Sequence, residues 1–509
     1  MSEKLKSACL ALLMAALSGA MFFSFPFAER NGSWAHCVLN NWEQYGFSAL
    51  SGQLVTNPGG HGALDDPQIY GGHKPHVARA AYFIGILSGS PGEDGWLFHV
   101  LLSVLVGMSI WLGFGKTSWA ALLSICTIIS PGFIRTPLQL DTLAIPVLLG
   151  IPVLFIASKV FFAKQRDWRK TALFFVLLAF YAQINWTTAL SVFVICSYLV
   201  ASKKLSLKSL AVFVAISGVA VCFVLITSLL HKQSASSSFM QSASLFFNSY
   251  LFGAGGYGGL AMDWITALRR IAVANIIGLM PLLVGLVFVA VKLGLTQTLK
   301  PLHLLPLAAS IVCILILRNY FATHPWMAAP IIILGLIATM KIFSDSRLAK
   351  HPAANSSFSL FYCVLIVVFS LIYAWGIIKI FAINAQASDS IARMVKTHTQ
   401  RDDLIFVQGA VFRDPAAIGK ISDLCDRLVM SGYPAALNPV NNDLCHFVLT
   451  TGLPPEGYIK IANTSAYKDA SSQTLSMLLD LYRTTISRRT IGDSPLPVKT
   501  YTLLVPAAH

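Results

Sequence analysis

Charge is scarce in this chain of 509 residues: only 12% are Asp, Glu, Lys or Arg. Soluble domains carry roughly a quarter charged residues, so water is excluded as the main solvent. Cysteine is sparse too, and the nine present form no CxxC pair and no Cys/His cluster at metal-ligand spacing, which leaves a zinc site without support. No internal repeat is found, and the one short polar patch is Ser234 to Ser238. The apolar stretches do not alternate every second residue, which argues against barrel strands.

What abounds is continuous apolar sequence, since 55% of residues are hydrophobic. A hydrocarbon core about 30 Å thick needs roughly 20 such residues per helix. Runs of this kind lie at Leu5 to Ala28, Trp96 to Phe114, Trp119 to Ser130, Thr142 to Phe162, Thr171 to Gln183 and Thr187 to Ala201. Others lie at Leu207 to Leu230, Ile271 to Val291, Leu302 to Leu317, Met327 to Phe343 and Phe358 to Ala382. The reading is an all-α polytopic membrane protein of about 11 transmembrane helices, its first run a retained anchor and not a cleaved signal.

Charge then orients the spans. With the amino terminus in the cytoplasm, the inner connections are 164–170, Lys203-Lys204 with Lys208, 292–300 and 341–350, and each is basic. Lys and Arg near span ends resist translocation, so this agreement over successive loops sets the topology. The net charge of +15 is spread among these loops and not gathered on one face, so no nucleic-acid partner is expected. The expected organisation is a membrane domain at 1–383, with a first outer loop at 29–95 and a second at 231–270, and an outer domain at 384–509.

The tail changes character. Leu404 to Val407 and His446 to Leu449 have strand composition, Thr500 to Leu504 is placed to close the sheet, and Pro415 to Met430 and Ser472 to Tyr482 have helical patterns. A small α/β domain follows. Cys425 and Cys445 fit either a disulfide in an oxidising compartment or two separate thiols.

The outer side holds the segments with chemical variety, where functional residues gather on loops held by a rigid scaffold. The candidate bases there are Glu29, Glu43, Asp65, Asp66 and Asp141. Glu29 follows the first span directly, and Asp141 stands at the mouth of another, where an acid is costly unless it faces a cavity; each also fits a solvated helix cap. The candidates for phosphate contacts are Lys74, Arg135, Arg269, Arg270 and Arg318, joined by Tyr70, His73, Tyr320 and His324. Outer arginines run against the positive-inside tendency, and phosphate binding or snorkelling to headgroups would each explain them. The glycine-rich stretch at 253–259 lacks the Lys-Ser/Thr of a P-loop and fits a gating loop better than a nucleotide cradle.

Asn40 or Asn41 with Tyr45-Gly46, then Tyr70, His73 and Pro75, followed by an amphipathic stretch at Val77 to Gly89, form an ordered set after the first span. This set resembles the opening of the GT-C glycosyltransferases, which include the protein O-mannosyltransferase and aminoarabinose transferase relatives. The resemblance continues through Trp96-Leu97-Phe98-His99 and the turn before Asp141. It departs from the pattern at Glu29-Arg30, where an acidic pair is usual, and at Pro75-His76, where a double proline is usual.

The resemblance implies a GT-C-like membrane fold and transfer of a sugar from a polyprenyl-phosphate donor to a glycan, lipid or protein acceptor outside a bacterial inner membrane. Its partners would be that donor, the acceptor and membrane lipids. Glu29, Asp141 or Glu43 would act as base, with Tyr70, His73, Lys74, Arg135, Arg269, Arg270, Arg318, Tyr320 and His324 toward the substrate and its phosphate. No cofactor is fixed by it, and a divalent metal stays open. The rival readings are a transporter or flippase of lipid-linked glycans and a non-catalytic membrane scaffold. Transporters usually carry charged or broken facing spans and related halves, which this sequence does not display.

Overall fold

The computed structural model describes 2–25, 33–55, 76–89, 95–130, 133–134, 144–161, 168–184, 264–293, 352–401, 403–407, 421–422, 424–431, 446–452, 458–467 and 498–506, with single positions at 188, 192, 206, 208, 211, 215, 315, 333 and 339. Ten helices precede five strands among these residues. The helices are α1 (Glu3–Ser24), α2 (Ser33–Tyr45), α3 (His76–Ile86), α4 (Trp96–Gly113), α5 (Ser118–Ile128), α6 (Ala144–Phe161), α7 (Trp168–Ile184), α8 (Trp264–Ala274), α9 (Ile276–Leu293) and α10 (Pro352–His398). The strands are β1 (Leu404–Val407), β2 (Leu428–Ser431), β3 (His446–Thr450), β4 (Tyr458–Tyr467) and β5 (Val498–Pro506).

Local chemistry sets the helix ends. The Ser2 hydroxyl accepts the Leu5 N–H at the start of α1, and the chain turns extended at Phe25, just before Pro26. Thr117 caps α5 in the same way by accepting the Ala120 N–H. Between α4 and α5 the backbone reverses through Gly115 and Lys116, both at positive φ.

Among the described residues α1, α4 and the part of α10 from Leu360 are long and apolar enough to cross a membrane, and α8 with α9 adds a fourth if the bent pair is one span. The 11 residues of α5 reach only about 16 Å at 1.5 Å per residue, too little to cross alone. The runs expected at 187–201, 207–230, 302–317 and 327–343 lie outside the described residues apart from single positions.

Helices α1 and α4 pack antiparallel along their length. Glu3 meets Lys116 at 2.8 Å at one end, Met14 fills the space over Gly107, and the Ser18 and Ser103 hydroxyls bond at 2.7 Å. At the other end the Phe22 and His99 rings lie 5.4 Å apart. Everything between α1 and α4 therefore leaves and re-enters at the end remote from Glu3.

Helix α10 carries the tail to that same end. Phe25 meets Phe381 with ring centroids 5.5 Å apart, and Phe22, Phe25, Ile134, Ile377, Phe381 and Ile383 form one buried cluster with Trp96 against it. Beyond Phe381 the helix runs on unbroken to His398, about 25 Å further. The first loop and the carboxy-terminal sheet thus share an end of the bundle.

That sheet has the order β2-β1-β3-β5-β4. β1 pairs parallel with β2 and β3, whereas β5 pairs antiparallel with β3 and β4. One face packs Ile405, Val407, Phe447, Leu449 and Leu503 against Ala387, Ile391 and Val395 of α10. The strands expected near 404, 446 and 500 are present, and β4 adds one that sequence reading did not assign. The helix expected over Pro415 to Met430 is corrected: Leu428 to Ser431 form β2. The helical turn stops at Asp426, at φ 54°, and the Ser422 hydroxyl takes the Val429 N–H, which frees the next residues to pair with β1. Cys425 is an unbridged buried thiol, and Cys445 lies outside the described residues.

Candidate functional site

The segment between α1 and α4 contributes two helices, α2 and α3, joined to the bundle by a shared aromatic core. Trp42 of α2 is fully buried, its ring edge-on to Phe47 at 5.1 Å and to Tyr82 of α3 at 5.5 Å. Phe47 stacks on Tyr82 at 5.7 Å and meets Phe83 at 4.9 Å. Trp42, Leu50, Val77 and Tyr82 belong to the same buried cluster as Phe98, Leu102 and Ile110 of α4. A loop thus becomes a fixed platform at the bundle end.

Hydrogen bonds close the turn between the platform's elements. The Trp42 indole N–H donates to the Gln53 carbonyl at 2.8 Å, and the Asn41 amide donates to the Val55 carbonyl at 2.9 Å. From α3 the Tyr82 hydroxyl donates to the Trp42 carbonyl at 3.2 Å, and Arg79 Nε donates to the Gly52 carbonyl at 3.1 Å. Gly52 sits at φ 59°, and a Cβ there would come within 2.5 Å of Phe47, so both conformation and space require glycine. The Arg79 guanidinium also lies 6.0 Å over the Phe47 ring.

The electrostatics of the platform are local. Burial lowers the Arg79 guanidinium from its ordinary value. Burial, and after it the Glu43 carboxylate, raise the Tyr82 phenol. Glu43 itself is exposed on α2, one residue from the buried Trp42 that fixes its backbone. A carboxylate so placed is free to meet a polar substrate while its helix stays rigid.

Of the sequence-nominated residues, Glu43, Arg269 and Arg270 are described, and all three are exposed. Glu29, Asp65, Asp66, Tyr70, His73, Lys74, Arg135, Asp141, Arg318, Tyr320 and His324 lie outside the described residues. Glu43 stands on the α2–α3 platform, whereas Arg269 and Arg270 stand on α8. Sequence reading passed over Arg79, whose signal was a lone cation inside the apolar repeat of α3. It also gave no role to the buried His99, one helical turn below the platform end of α4, whose Nδ1 has no partner among the described residues.

The architecture has counterparts of known structure. ArnT from Cupriavidus metallidurans, solved with undecaprenyl phosphate bound, matches with a TM-score of 0.55 at 11% identity, covering 98% of this chain and 97% of that one. The apo form of the same protein gives 0.51 at 11% identity, over 100% and 99%. The mycobacterial arabinofuranosyltransferase AftD gives 0.44 at 15% identity, over 99% of this chain and 40% of that one. No family model and no curated protein sequence matches the chain. ArnT is a GT-C membrane glycosyltransferase, and the end-to-end agreement with it gives this chain the GT-C fold.

Proposed function

We propose that the chain is an integral membrane glycosyltransferase, moving a sugar from a polyprenyl-phosphate donor to a glycan, lipid or protein acceptor on the extracytoplasmic face of a bacterial inner membrane. The observation that carries this reading is the agreement, over nearly all of both chains, with a GT-C protein that holds undecaprenyl phosphate. About 11 spans in a 1–383 membrane domain, with an outer domain at 384–509, complete the reading.

The chemistry asks for two things that the nominated residues supply. An acceptor hydroxyl is a poor nucleophile at neutral pH, so a carboxylate takes its proton as the oxygen bonds to the anomeric carbon. The bond from that carbon to the phosphate oxygen breaks, and the polyprenyl phosphate departs with the electron pair. Cations beside it stabilise the charge that develops. Glu29, Glu43 and Asp141 are the bases of this reading; Lys74, Arg135, Arg269, Arg270, Arg318 and His324 are its cationic side, with Tyr70, His73 and Tyr320 lining the substrate. The rigid α2–α3 platform supports the choice of Glu43, since a base must be held within reach of the proton it abstracts.

The test combines glycan mass spectrometry of cells with transfer assays on the purified chain in nanodiscs. Glu29, Glu43, Asp65, Asp66 and Asp141 are changed singly to Asn or Gln, and one variant should lose at least about 100-fold in rate while its donor still binds. Wild-type products from all five variants would remove the carboxylate mechanism. Parallel assays with and without EDTA decide whether a divalent ion assists.

A further inference from the structure

Arg79 is a cation held in place without a counter-ion. Its Nε donates to the Gly52 carbonyl at 3.1 Å and its guanidinium lies 6.0 Å over the Phe47 ring, so two contacts fix where the group points. Neither contact uses the terminal nitrogens, and no carboxylate among the described residues pairs with them. Burial lowers the guanidinium, with no acid acting in the other direction. A guanidinium keeps its charge even so, and a charge withdrawn from water calls for an anionic partner.

The rest of α3 shows what kind of partner fits. Val77, Ala78, Ala81, Tyr82 and Gly85 make its buried side. At about 100° per residue, Arg79, Phe83 and Ile86 fall within an arc of about 60° on a separate side. Phe83 is 51% exposed and Ile86 49%, and Leu87, in the turn that follows the helix, is 78% exposed. Phe47 joins the two chemistries, since its ring lies under the guanidinium and meets Phe83 at 4.9 Å. A fixed cation therefore heads an exposed apolar run about 10 Å long from Arg79 to Ile86, at 1.5 Å per residue. One turn along α3 the Tyr82 hydroxyl donates to the Trp42 carbonyl and feels the Glu43 carboxylate, so a candidate base stands on the same small platform.

We infer that Arg79 binds the phosphate of the polyprenyl carrier, and that Phe83, Ile86 and Leu87 seat the prenyl units next to it. The inference rests on the sugar-transfer reading and adds a donor contact to it. The terminal nitrogens of arginine present a planar fork to two oxygens of one phosphate. A polyprenyl phosphate joins its apolar chain directly to that phosphate, and on α3 the apolar run begins one turn from the cation. A glycerophospholipid instead interposes glycerol and ester groups between its phosphate and its chains. Held on this platform, the departing phosphate meets a fixed cation as its charge develops.

The test is native mass spectrometry of the full chain in detergent, titrated with undecaprenyl phosphate. R79Q should bind it at least about tenfold more weakly than wild type, with R79K in between because an ammonium has no fork. I86Q/L87Q leaves Arg79 and its bond to Gly52 in place, and should also weaken binding about tenfold through lost apolar contact. Thermal stability of I86Q/L87Q in the same detergent should match wild type, which separates lost binding from lost fold. Phosphatidic acid or inorganic phosphate at the same concentration should not displace the carrier. Wild-type affinity in R79Q or in I86Q/L87Q would overturn the inference and leave the transferase reading standing. So would displacement by phosphatidic acid, which would make this face an ordinary phospholipid contact, or by inorganic phosphate, which would leave the apolar run without a part. A wild-type chain that binds no undecaprenyl phosphate would remove the transferase reading as well.

Discussion

Ser18 on α1 and Ser103 on α4 share a buried hydrogen bond of 2.7 Å across 85 residues of sequence. Ser103 also bonds the His99 carbonyl of its own helix at 2.8 Å, so the pair ties the two helices two turns below the platform end of α4. Interhelical polar bonds of this kind are individually small in membranes. S18A and S103A should each lower stability, and the double-mutant cycle should give a coupling of about 0.6 kcal/mol. Unfolding of the purified protein in bicelles by steric trapping measures it, and a coupling of zero would remove this bond from the interface.

Gly285 of α9 is where Tyr362 of α10 comes closest. A Cβ there would lie 2.2 Å from Tyr362 Cε2, whereas the one at Gly107 would meet the flexible tail of Met14 at 2.3 Å. G285A should therefore cost about 1–3 kcal/mol, and G107A distinctly less, because a methionine can swing aside and a ring stacked on Phe358 cannot. Thermal stability in detergent would show the order. Tyr362→Leu introduced beside G285A should recover part of the loss.

The platform predicts a division between fold and chemistry at adjacent positions. W42A empties a buried site and frees the Gln53 carbonyl, a loss of about 3–5 kcal/mol that should release α2 from α3 and raise proteolysis in the first loop. E43Q, on the exposed neighbour, should stay within about 0.5 kcal/mol of wild type. A large stability change in E43Q would mean that the carboxylate holds the fold together.

Arg427 joins the end of α10 to the sheet. Its guanidinium donates to the Thr399 carbonyl at 2.9 Å and hydroxyl at 3.1 Å, and to the Cys425 and Asp426 carbonyls. R427A should cost at least about 2 kcal/mol in the carboxy-terminal domain, since buried acceptors lose a charged donor. R427K should recover only part, because one ammonium cannot reach across the same fork of carbonyls. Hydrogen exchange at 404–407 and 428–431 gives the readout.

Cys425 supplies a pH dependence with a defined sign. Burial pushes its thiol up to about 12 from an ordinary value of 9. The unfolded chain ionises first, so the contribution of Cys425 to stability is constant below about pH 9 and falls between about 9 and 12, by up to about 1.4 kcal/mol per unit. C425A should flatten that decline. The native thiol should also resist maleimide at neutral pH and react once the domain is unfolded.

Composition and flanking charge were enough to identify a helical membrane protein, because a bilayer forces apolar length into plain view. The order of Asn40 or Asn41, Tyr45-Gly46, Tyr70, His73, Pro75 and the amphipathic stretch from Val77 to Gly89 was enough to suggest the GT-C fold, which the end-to-end structural match supports. Strands at 404, 446 and 500 were readable from their β-branched and aromatic runs, whereas β2 was hidden in a helical pattern that only pairing with β1 overrides. Which residues meet across the chain was not readable at all. The burial of Trp42 beneath Tyr82, the crossing of α10 past Phe25, and the corner at Asn275 each join residues far apart in sequence or set an angle between helices. Periodicity reports which face of a helix avoids water, but not what that face touches.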